Sequence, residues 1–136
     1  MSERNCALQS KAYSALRALY QNQNDALQAL KRSGKKLCWM FGDDVPEEVI
    51  LAAGMFPVRL TGEYGSQLQA EKYLEISFGA LWKACFEKIL CASAAGMMDY
   101  LVLSNSSDLI QKLYYYLLQL KRIEPDRTLP EMYYVD

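Results

Sequence analysis

Asp99-Tyr-Leu-Val-Leu-Ser-Asn-Ser-Ser-Asp108 is the stretch that decides the fold. Its first half, through Leu103, is a short run of bulky apolar residues and gives the strongest strand signal in the chain. The run opens directly into the polar turn Ser104-Asn-Ser-Ser-Asp108. Beyond it Leu109, Leu113, Tyr116, Leu117 and Leu120 recur at helical spacing, and Pro125 lies past the end. A strand that passes through a tight polar turn into an amphipathic helix is the repeating unit of an α/β protein.

The same alternation extends on both sides. Upstream, Lys36-Leu-Cys-Trp-Met-Phe41 reads as a buried strand closed by Gly42-Asp43-Asp44. Asp44 and Glu47 have capping-box spacing around Pro46, which places a short helix start there, and Val49, Ile50, Ala52 and Ala53 give that helix an apolar side before Gly54. Phe56-Pro-Val-Arg-Leu60 reads as a second strand with Pro57 near its beginning, where a missing N–H is tolerated. Gly62 and Gly65 break the chain, and a helix is expected from Gln67 to Leu74. A longer helix is expected from near Phe78 to Ala95, with Leu81, Cys85, Ile89 and Ala92 in one stripe and Gly96 as its stop. Downstream, Glu131-Met-Tyr-Tyr-Val135 reads as a fourth strand.

Ahead of all this, from about Cys6 to Arg32, Leu8, Ala12, Ala15, Leu19, Leu27 and Leu30 form a helical stripe ending at Gly34. The expected organisation is therefore an N-terminal helix, residues 1–34, packing on a Rossmann-like or flavodoxin-like half-domain, residues 35–136. The fold class is α/β, with a four-stranded parallel sheet. The right-handed crossover rule predicts the strand order 2-1-3-4, with 36–41 beside 99–103. The final strand has no helix after it to cover a parallel sheet, which points to a fragment, a truncated product or a domain that needs a partner.

Composition narrows the function. Fifteen Lys and Arg against sixteen Asp and Glu leave a formal charge of -1, and 51% of the residues are hydrophobic. That balance provides no footprint for nucleic acid or an anionic membrane. No apolar run approaches the roughly 20 residues of a membrane helix, and the first residues contain no apolar signal core. The four cysteines, Cys6, Cys38, Cys85 and Cys91, form no CxxC pair. Cys85 and Cys91 lie roughly 240° apart around a helix that turns about 100° per residue, too divergent to grip one metal. They read as free thiols of a reducing, cytoplasmic compartment. The chain has no histidine, which removes Ser-His-Asp and Cys-His mechanisms within it.

Gly42-Asp-Asp-Val-Pro-Glu-Glu-Val-Ile-Leu-Ala-Ala-Gly-Met-Phe-Pro-Val-Arg-Leu60 resembles the signature of the 2-hydroxyacyl-CoA dehydratase and benzoyl-CoA reductase family, a strand followed by P-E-E, A-A-G and P-x-R. Gly79-Ala-Leu-Trp-Lys83 stands in the place of the family's C-P-x-x-K, and Ser107-Asp108 in the place of its C-D. The run from Lys112 is similar to the helix after that C-D, and Leu129 to Asp136 to the strand before the family's second half. The likeness covers about residues 35–136. It implies a subunit that holds a [4Fe–4S] cluster on three cysteines and takes an electron from an ATP-dependent activator for ketyl-radical chemistry on an acyl-CoA. Two of those cysteines fall at Gly79 and Ser107, and the third beyond Asp136. Glycine has no ligand and a serine hydroxyl is a poor one. The expectation is thus a truncated or degenerate dehydratase-like subunit with no cofactor of its own. It would act as a partner-binding or acyl-CoA-binding module, as a homo-oligomer or beside a companion dehydratase-type subunit. The alternative is a component of an active enzyme whose catalytic parts lie on another chain.

No catalytic residue is assigned. Candidate substrate-binding residues are Glu47 and Glu48, at the end of the first strand, and Ser104, Asn105, Ser106, Ser107 and Asp108, at the end of the third. Hydroxyls and amides opening a helix can receive a phosphate or carboxylate. The structural alternative is an ordinary N-terminus, with Ser106 or Ser107 as cap and Asp108 favoured by the dipole. A buried glutamate at position 47 or 48 would suit acid–base work, against a capping box and a solvated helix start. Arg59 is expected to pair with a neighbouring carboxylate. Tyr114, Tyr115 and Tyr116 are consecutive and cannot all face inward from one helix, so at least one meets solvent or a subunit.

Overall fold

The computed structural model describes residues 10–63 and 65–136. The chain divides into two compact units, Met1–Gly34 and Lys35–Asp136. The first is built of α1 (Lys11–Gln21) and α2 (Gln23–Arg32). The single N-terminal helix expected here is thus two. Asn22, with φ -112° and ψ 31°, ends one and begins the other: its amide donates to Ala18 O and its carbonyl accepts from Ala26 N. The run Gln21-Asn-Gln-Asn-Asp25 contains weak helix formers that favour caps, and the break falls within it. Gly34, at φ +84°, stops α2 in the left-handed region, as its position predicts. Cys6 and Leu8 lie outside the described residues.

The second unit runs β1 (Leu37–Phe41), α3 (Glu47–Ala52), β2 (Phe56–Arg59), α4 (Leu68–Tyr73), α5 (Ala80–Ala94), β3 (Tyr100–Ser104), α6 (Asp108–Ile123) and β4 (Glu131–Val135). All strand pairs are parallel and the order is β2-β1-β3-β4, the flavodoxin-like order expected, with β1 beside β3.

The registers divide the side chains between two faces. On one face Leu37, Trp39 and Phe41 align with Leu101 and Leu103 and, on β4, with Met132 and Tyr134. Helices α5 and α6 cover this face: Trp82 meets Phe41, and Tyr114 stacks on Tyr134 with ring centroids 5.1 Å apart. Helix α6 buries Ile110, Leu113, Leu117 and Leu120, the stripe its period predicts, with Ile110 rather than Leu109 at its start. Helix α5 is buried more widely than one stripe, through Ala84, Cys85, Phe86, Ile89, Leu90 and Ala92, because α4 lies against it as well as the sheet. The Glu87 carboxylate secures that second contact by accepting from the Ala70 amide at 2.8 Å. On the other face Cys38 and Met40 pack with Val45 and Ile50 of the α3 segment, flanked by Met55, Tyr100 and Val102. Tyr133 and Val135 of β4 remain exposed on that side.

Candidate functional site

β1 sends its chain to β2 on one side of the sheet, and β3 sends its chain to β4 on the other. The two connections part at the carboxyl ends of β1 and β3, the switch point where doubly wound proteins form a crevice. The residues there are 42–48 and 104–108, the two segments that hold the candidate residues from the sequence. The fold therefore brings the two sets to one rim.

Gly42 and Ser104 meet at its centre. Gly42 has φ +118°, and a Cβ on it would stand 1.8 Å from Ser104 Oγ and 2.9 Å from Ser106 Oγ. Glycine is required twice over, for conformation and for space. Ser104 is 1% exposed; its hydroxyl donates to Asp44 Oδ1 at 3.3 Å and lies 3.0 Å from Ser106 Oγ. A buried hydroxyl needs such partners, and Asp44 supplies one. The close approach of Gly42 to β3 leaves no mark in a linear pattern beyond a glycine after a strand.

Asp44 is therefore not a helix cap. The N-cap of α3 is Pro46, and no side chain bonds the first amides. The capping-box expectation fails because both of its side chains have tertiary partners. Glu47 accepts from Arg59 Nη2 at 2.9 Å, while Arg59 Nη1 donates to the Gly42 carbonyl at 3.2 Å. The pairing expected for Arg59 is thus found, and it ties the end of β2 to the turn after β1. Glu47 and Glu48 are exposed, so neither is the buried glutamate that acid–base work at this position would call for.

Ser107 is the N-cap of α6, its Oγ accepting from the Leu109 amide at 3.3 Å, and Asp108 fills the first turn. Asn105 reaches the end of β4: its Nδ2 donates to Asp136, and its Oδ1 accepts from Tyr134 Oη at 2.8 Å. Desolvation, then the Asp136 carboxylate, holds the Tyr134 phenol above its ordinary value. Of the serines and asparagine, Ser104 bonds Asp44 and Ser106, Ser107 is spent on the helix, and Asn105 braces β4.

Gly79, the other position of interest, is the N-cap of α5, with φ -65° and no side-chain cap bond. Its Cβ would find Trp82 Cδ1 at 3.8 Å as nearest neighbour, so a side chain is accommodated. Neither position that stands in the place of a family cysteine offers a thiolate. Gly79 has no ligating atom, and the Ser107 hydroxyl is engaged with a main-chain amide. Among the described residues no three His, Cys, Asp or Glu side chains converge as a metal site. Cys38 and Cys85 are buried and Cys91 is exposed, all free. Burial pushes the Cys85 thiol up to about 11 and raises Cys38, and desolvation with the Glu87 charge raises Cys91. Thiols held protonated are poor ligands.

The geometry defines a class, a doubly wound parallel α/β domain with a polar switch-point rim. No family model matches the chain, and no curated protein matches it. No helix among the described residues is long and apolar enough to cross a membrane.

Proposed function

We propose that the chain is a degenerate 2-hydroxyacyl-CoA dehydratase-like subunit that has lost its own cluster and acts by assembling with a partner. The observation that carries this reading is the state of the two helix starts that resemble the family's ligand positions. Gly79 and Ser107 are both N-caps on helices of the same sheet face, in a frame otherwise well packed around them. On this reading the ligands were replaced while the frame that would present them was kept. An electron from an activator has no acceptor here, so radical dehydration has no starting point.

A second reading, acyl-CoA binding at the switch-point rim, is favoured by the hydroxyls and amides that open α6. Charge weighs against it. Segments 42–48 and 104–108 contain five carboxylates, Asp43, Asp44, Glu47, Glu48 and Asp108, and no cation, and the nearby Arg59 is already paired. The phosphates of CoA would meet repulsion where the acyl group should enter. Calorimetric titration with CoA and a short acyl-CoA separates the readings. The assembly reading predicts no saturable heat with either compound. Saturable binding that is lost in Ser104→Ala or Arg59→Ala would replace it with the acyl-CoA reading.

A further inference from the structure

We draw no further inference here: the strongest candidate, the apolar cavity between Tyr73 of α4 and Tyr115, Tyr116, Leu120 and Ile123 of α6, is an open face, and nothing in the structure shows what covers it.

Discussion

The two ends of the central strands are held by different sets of polar contacts. At the amino end two side chains bond main-chain groups of a neighbouring segment. Asp99 Oδ2 accepts from the Leu37 amide at 2.8 Å, and Trp39 Nε1 donates to the Met97 carbonyl at 2.8 Å. Nearby, Arg127 spans Glu124, Gln69 and Tyr73 and so ties the turn before β4 to α4. At the carboxyl end the contacts centre on Gly42 and Ser104 and are flanked by the exposed carboxylates Asp43, Glu47 and Glu48. The amino end, the lower one here, thus ties β1 to the segment before β3, and the carboxyl, upper end ties the turn after β1 to the end of β3.

The largest effect should come from the one tight point of the upper end. Gly42→Ala places a methyl group against Ser104 Oγ at φ +118°, and overpacking with backbone strain should cost about 3 kcal/mol or more in urea unfolding. Adding Ser104→Ala should recover part of that loss, with a coupling of about 1 kcal/mol in a double-mutant cycle. Strict additivity would mean that the clash is elsewhere.

At the lower end, Asp99→Ala strands the Leu37 amide in a part-buried position and removes the Lys36 ion pair, which should cost about 2 kcal/mol. Ser104→Ala alone should cost about 1 kcal/mol, because a single hydroxyl with exposed partners is lost. If the Ser104 loss exceeded the Asp99 loss, the contrast between the two ends would be reversed.

The smallest effect is one of pH. Bonds from Tyr73 Oη, then from Arg127, hold the Glu124 carboxyl below its ordinary value of 4.5. A carboxylate depressed in the folded state stabilises above its unfolded value and loses that contribution as pH falls through the folded one. Stability should therefore decline below about pH 4.5, and Glu124→Gln should flatten that part of the profile. An unchanged acid slope in the variant would remove this group from the lock at the lower end.

Much of this frame was legible in the chain. Short apolar runs alternating with helical periods marked four strands, and the crossover rule ordered them, because both follow from local patterns and from chirality common to all such sheets. The misses share a cause. Asp44 and Glu47 have the spacing of a capping box, yet Ser104 and Arg59, far along the chain, take both side chains. The break at Asn22 turned on weak propensities that a continuous apolar stripe outweighs on paper. The need for glycine at position 42 arises only when β3 lies beside β1, so no window of sequence contains it.

Anaerobic reconstitution with iron and sulfide tests the central claim, that the frame of a dehydratase-type subunit persists without its cluster. The account predicts substoichiometric iron and no stable broad absorbance band in the unmodified chain. Gly79→Cys with Ser107→Cys should fold normally and still bind less than one cluster per chain, since two thiolates leave a cluster short of ligands. Stoichiometric iron with a stable four-iron absorbance spectrum in the unmodified chain would contradict it.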